Sequence, residues 1–289
     1  MKIKKIFSKL MIVLMVLTLS ASFGNTRAYA DAYKVVTLGG DLTNEQKEDM
    51  LKYFGVTRQD VNVIEVNIDE ERKYLGNIAT SQQIGTKSIS SSYVEPTSSG
   101  GLNVSTNNIY WVSSSMIKNA LITAGIKNAN VKVSAPFNVS GTAALTGILK
   151  GFESSSSGNK IDETKKEAAN DELMTTGNLG DKIGKDKAAG LINDIKTQVV
   201  KEKPKTEEGV RQIVENVTNN YNLNLSTGDI DKITALMTKI NGLNLNFGDI
   251  KGQLSSVADQ LKGELSSDQA QGFFAKIINA IKTFFSNLF

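Results

Sequence analysis

"YKVVTLGGDLTNEQKEDMLKYF", residues 33–54, decides the fold. Its first part, Val35 to Leu38, is a short apolar run that stops at two glycines. Its second part places Met50, Leu51 and Phe54 at helical spacing. Thr43, followed three residues later by Gln46, is the capping box of a helix start. A strand that turns through glycine directly into a capped helix is the opening unit of a layered α/β arrangement.

The pattern continues outward from there. "VNVIEVN" (61–67) alternates apolar and polar residues as a half-buried strand does, and "DEERKYLGNIA" (69–79) returns to helical spacing through Tyr74, Leu75 and Ile78. Between 84 and 112 the texture turns to Ser, Thr, Val, Ile and aromatic residues, divided by Pro96 and the Gly100-Gly101 pair, which predicts two neighbouring strands. Residues 114–126 read as a helix closed by Gly125, and 130–139 as a strand. Residues 141–153 read as a helix capped by Ser140, rich enough in small residues to lie close against a sheet. Residues 31–153 are thus expected to form a mixed α/β domain.

"SSSSGN" (154–159) has the composition of a linker, and beyond it the pattern is helical, so residues 160–289 are expected to form a helical domain. The fold class predicted is α+β. Helices are read over 161–174, over 186–203 with Pro204 closing it, and over 206–222. "LNLSTGDI" (223–230) returns as "LNLNFGDI" (243–250); Ser226 with Asp229, and Asn246 with Asp249, mark two helix starts, and Gly242 a stop between them. The pair reads as a helical hairpin. As calcium ligands Asp229 and Asp249 lack the alternating oxygen donors and closing glutamate of an EF-hand. In the last segment, 269–289, Phe273, Phe274, Ile277, Ile278, Ile281, Phe284, Phe285 and Leu288 fall within one arc of a helical wheel. Such a face either closes a core or meets a membrane surface or partner.

The first 30 residues carry lysines, then the apolar run "LMIVLMVLTL", then "AYA" before Asp31, the layout of a secretory signal peptide cleaved after Ala30. They hold five of the 33 basic residues and no acidic ones, so the remainder has 28 basic against 30 acidic residues, a net charge of −2. That balance argues against nucleic acid as a partner. The chain has no cysteine and no histidine. Disulfides, thiol nucleophiles, Ser-His-acid triads and histidine-ligated metals are thereby excluded, leaving carboxylates, lysine, tyrosine, serine or an oxygen-bound cation for any chemistry. No cofactor motif is found, and the expected location is secreted or extracellular.

Several candidates remain. Gly39 and Gly40, and later Ser140, Gly141 and Thr142, each lead from a strand through glycine to a helix N-terminus, where free amides can hold an anion; tight turns explain the same glycines. "SMIK" (115–118) matches Ser-x-x-Lys, but no Lys-Thr-Gly follows it, so an ordinary helix start is preferred. Glu65, Asp69, Glu70, Glu71 and Glu95 offer material for a glycosidase-type carboxylate pair. Of Tyr110 and Trp111, one should face the core and the other solvent, where it could join Tyr93 in stacking on a ligand.

"VVTLGGDLTNEQKEDML", "SYVEP", "IYWVSSSMIKNALITAGI" and "APFNVSGTAALTGI" together resemble the secreted proteins grouped as domain of unknown function 1002, found mainly in Gram-positive bacteria. The resemblance implies a compartment and an architecture, with no catalytic residues to carry over. The expectation is an exported protein that binds a cell-envelope component or partner; a carboxylate-dependent hydrolase of wall glycan or peptide, and a peripheral membrane protein held by its C-terminal helix, are the alternatives.

Overall fold

The computed structural model describes residues 34–264 together with Gly272, Ala275 and Asn279. The signal-like segment and the apolar face of Phe273, Phe274, Ile277, Ile278, Ile281, Phe284, Phe285 and Leu288 lie outside the described residues.

Strands β1 (Val35–Gly39), β2 (Asn62–Val66), β3 (Ser91–Pro96), β4 (Leu102–Ile109) and β5 (Ala129–Val139) form one sheet in the order β2-β1-β3-β5-β4. It is mixed: β1 runs parallel to β2 and β4 to β5, while β3 is antiparallel to both β1 and β5. β1 is buried along its whole length, as its unbroken apolar run requires of a strand covered on both faces. Helix α1 (Asn44–Phe54) covers one face, where Met50, Leu51 and Phe54 meet Val36, Leu38 and Tyr93. Its start is the Thr43–Gln46 capping box read from the sequence.

Helix α5 (Ala144–Ser154) covers the other face. A Cβ on Gly147 would lie 3.4 Å from Ser92 and Thr37, and one on Gly151 3.0 Å from Thr37 Oγ1, so the small residues let this helix sit directly on the sheet. Thr37 Oγ1 donates to the Gly147 carbonyl at 2.9 Å across that contact. The expected Ser140 cap is not made: the residue before α5 is Ala143 in helical conformation, with no side-chain bond, and Ser140 Oγ lies 3.3 Å from Thr142 Oγ1 instead.

Two short helices follow β2: α2 (Ile68–Leu75) and α3 (Ser81–Ile84). Helix α4 (Ser114–Thr123) connects the sheet to the helical region, packing on β4 and on the later helices, and residues 115–123 are all buried. After residue 162 come α6 (Glu163–Ile183), α7 (Lys185–Glu202), α8 (Glu207–Asn220), α9 (Thr227–Gly242) and α10 (Phe247–Glu264). The architecture is α+β. One apolar cluster runs without interruption from Val94 and Ile148 through Leu121 to Leu173, Ile195 and Leu254. The stretch 154–159, expected as a linker, holds the last residue of α5 and the first part of the connection to α6, with Ser155 buried.

Helix α6 is longer than the pattern predicts, because Gly177 and Gly180 lie inside it. Trp111 explains Gly177: a Cβ there would come within 2.2 Å of the indole ring. The ring is 8% exposed and its Nε1 donates to both Asp181 oxygens at 3.0 and 3.1 Å, while Tyr110 beside it is 54% exposed. Trp111 stands in the bend after β4, not on the strand. Tyr93 is buried beneath α1 with its ring 6.2 Å from that of Phe54, so it shares no outer surface with Tyr110.

Candidate functional site

The short helix α3 forms the wall between two surface depressions. Thr80 and Gln83 close its first turn as a capping box, and Gly85 ends it at φ 77°. Gln83 then ties the turn to its surroundings: its Nε2 donates to Asn178 Oδ1 of α6 at 2.6 Å, and its carbonyl accepts from Thr142 Oγ1 at 3.0 Å. Gln83 lines both depressions.

On one side is a groove of about 1000 Å³ between residues 77–80, α6 and α9. Ile78, Met174, Leu179, Ile233 and Leu236 form an apolar floor. The rim is charged, and its acids have partners: Asp171 with Lys239, Asp229 with Lys182 at 2.6 Å, and Asp181 with the Trp111 indole. Burial raises the Asp229 carboxyl, but Lys182 and Ser226 outweigh it and hold the group below the ordinary range. The groove therefore offers apolar area with fixed charge around it, the composition of a binding surface.

On the other side is a cleft of about 430 Å³, lined by Asp41 and Thr43 after β1, by residues 84–87, 89 and 90, and by Phe137, Ser140 and Ala143 around the end of β5. Phe137 is 50% exposed there. The two glycine-bearing turns singled out in the sequence thus both reach one cleft, through Asp41 and Ser140, although Gly39, Gly40 and Gly141 do not line it. Gly39 N–H donates to Ser91 Oγ at 3.3 Å and Gly40 N–H to the Val66 carbonyl at 2.8 Å. A Cβ on Gly39 would fall 2.5 Å from the Ser88 carbonyl oxygen, so close backbone approach requires glycine at this point. Gly141 takes φ +84°, and a Cβ there would meet Ile109 at 2.3 Å. The Ser140 carbonyl accepts from the amides of Trp111 and Val112. Thr142 is buried on Gln83, leaving Ser140 as the member of the set that lines the cleft.

The other candidates are dispersed. Ser115 is buried, while Lys118 reaches Ser256 Oγ at 2.9 Å and Gln260 Oε1 at 3.3 Å on α10. Glu65 pairs with Lys47, Asp69 with Arg72, Glu70 with Lys150, and Glu95 with Lys34 at 3.5 Å. Asp229 and Asp249 are paired with Lys182 and Lys127, and each sits in the turn capped by Ser226 or Asn246 as read from the sequence.

Glu71 is different. It is completely buried, and neither of its oxygens has a hydrogen-bond partner. Burial pushes its carboxyl up to about 7; the nearby Ser88 hydroxyl pulls the other way without bonding to it, and the charge of Asp41 adds to the rise. Gln83, Phe137 and the groove floor were not singled out from the sequence, because Gln83 is tied to Asn178 and Thr142, 95 and 59 positions away, and a groove between distant helices leaves no local pattern.

The family model described as "Protein of unknown function (DUF1002)" matches residues 38–257, which include strands β2 to β5, the end of β1, α3 and both depressions. The chain belongs to this family. It is similar to the uncharacterized protein YpuA of Bacillus subtilis (strain 168), with 38% identity over 247 residues, covering 85% of this chain and 84% of the relative. No solved structure matches the chain.

Proposed function

We propose that this member of the domain of unknown function 1002 family is an exported, non-catalytic binding module of the cell envelope, and that the groove between α3, α6 and α9 is where it takes its partner. The observation that carries the reading is the groove itself: an apolar floor of Ile78, Met174, Leu179, Ile233 and Leu236 inside a rim whose acids are held by lysines and an indole. Carboxylates already engaged by lysines and an indole N–H are occupied by those contacts, whereas an apolar trough edged with charge suits an extended peptide or protein segment. Export is supported by the arrangement of residues 1–30, a lysine-rich start, an apolar run and a small-residue site before Asp31.

Ala235 lines the groove from an exposed position on α9, so Ala235→Arg obstructs it without entering the core. Cross-linking of the purified protein to an envelope fraction should recover a partner whose yield falls at least about tenfold in this variant, with thermal stability unchanged. Equal yields from both proteins would remove the groove from consideration. Turnover of wall glycan or peptide, lost on one carboxylate-to-amide change, would instead establish the hydrolase reading. Amino-terminal sequencing of protein from the culture medium tests export, with Asp31 expected as the first residue.

A further inference from the structure

Three segments that are distant in sequence meet beside the 430 Å³ cleft: the turn after β1 and the loop before β3 line it, and helix α2 brings Glu71 close to Ser88 and Asp41. The first two are clasped together by Asp41 and Ser88. The Ser88 amide donates to Asp41 Oδ2 at 2.7 Å, and the Asp41 amide donates to the Ser88 carbonyl at 3.1 Å. Behind this clasp lie two buried side chains whose polar atoms lack partners, both oxygens of Glu71 and the hydroxyl of Ser88, each residue being 0% exposed. Arg72, next to Glu71 in the chain, has its guanidinium on Asp69 at 3.3 Å, and Lys87 is exposed in the cleft.

A carboxylate taken out of water with nothing bound to it costs several kcal/mol, so such a group is expected to have a lysine, a proton or a metal ion beside it. No lysine reaches Glu71 through a salt bridge among the described residues. The possible ligand atoms brought together here are oxygens: the carboxylates of Asp41 and Glu71 and the Ser88 hydroxyl, with Asp41 exposed and lining the cleft. Oxygen donors of this kind suit a hard cation, and calcium in particular accepts irregular shells completed by carbonyls and water. Among the described residues no three acids gather into a complete metal cage, so the ion would keep water on the side of the cleft.

We propose that Asp41, Glu71 and Ser88 form a calcium-type cation site that locks the turn after β1, helix α2 and the loop before β3 to one another. Occupancy would satisfy the two oxygens of Glu71 and the Ser88 hydroxyl together, and would set the shape of the cleft without involving the groove on the far side of α3.

The test is equilibrium dialysis of the purified full chain, stripped with EDTA, against radioactive calcium chloride at about pH 8, where Glu71 is largely ionised. A single calcium ion should bind per chain and raise the melting temperature by several degrees. Glu71→Gln and Asp41→Asn should both abolish the binding, and Ser88→Ala should weaken it by about tenfold. Glu71→Gln removes a buried charge while keeping its shape, so loss of binding in that variant cannot be put down to unfolding. The proposal is overturned if the wild-type chain binds no calcium, if Glu71→Gln binds as well as wild type, or if stability follows pH identically in EDTA and in calcium, which would mean that a proton occupies Glu71.

Discussion

Glu71 on the sheet side and Glu172 on the helical side are both completely buried, yet they are held in opposite ways. Glu172 accepts from Lys196 Nζ at 2.7 Å and from the Thr123 hydroxyl, and Lys196 in turn donates to the Asn119 carbonyl at 2.8 Å and to Thr123 Oγ1 at 3.2 Å. The polar knot joins α4, α6 and α7 where the two regions share one core. Glu71 has no such company. The difference teaches that a buried carboxylate which is part of the architecture comes with its cation built into the chain, whereas one left open marks a place where something else binds.

The largest effect should come from breaking the complete network. Burial lowers the Lys196 pKa, and Glu172 acts against that shift. Lys196→Met removes the cation and strands Glu172 and the Asn119 carbonyl, which should destabilise the fold by about 3–5 kcal/mol in denaturant titrations. Adding Glu172→Leu should recover much of the loss, since an apolar pair of similar volume leaves no charge uncompensated. A loss below about 1 kcal/mol in the single variant would show that Glu172 is no better held than Glu71 and would dissolve the contrast.

The second effect has the opposite sign. With calcium withheld by EDTA, Glu71 is harder to ionise in the folded state, about 7 against an ordinary 4.5. Below about pH 4.5 both states keep the proton and nothing is lost. As pH rises from there through about 7 the unfolded chain ionises first, so stability falls by about 3 kcal/mol and then levels off. Glu71→Gln should abolish that slope and be the more stable protein at about pH 8. A wild-type slope that survives the substitution would assign the titration to another group.

These two sites also show what the sequence made legible. Capping pairs such as Thr43–Gln46 and Ser226–Asp229, the apolar run of β1 and the small residues of α5 are local signals, and the structure carries them out. The mixed order of the strands, the two depressions flanking α3 and both buried glutamates depend on contacts between segments dozens of residues apart. Glu71 reads as one more acid near a helix start. Gly177 reads as a helix breaker, because its reason for being there is Trp111, 66 positions earlier.

That seam gives a smaller and more pointed test of how firmly the sheet side is tied to the helical side. Helix propensity alone predicts that Gly177→Ala stabilises α6 by about 1 kcal/mol. Packing predicts the reverse, since the new Cβ would fall 2.2 Å from the Trp111 ring and push the indole off Asp181. The expected result is a loss of about 1–3 kcal/mol, with a shift in tryptophan fluorescence that reports Trp111 directly. A gain would mean that the ring yields easily and that the seam is soft.

The smallest effect sets the scale for a feature that is purely local to the helical side. Ser226 Oγ accepts from the Asp229 amide at 3.2 Å and donates to its carboxylate at 2.7 Å, whereas Asn246 offers its counterpart in the repeat one longer bond, 3.3 Å to the Asp249 amide. Ser226→Ala should therefore cost about 1 kcal/mol and Asn246→Ala less, both read as shifts in the denaturation midpoint. Equal losses at the two positions would mean that backbone placement, not the capping bond, sets the start of each helix. The Lys196 and Glu71 effects should exceed both, because a capping group lost at the surface is replaced by water and a partner lost in the core is not.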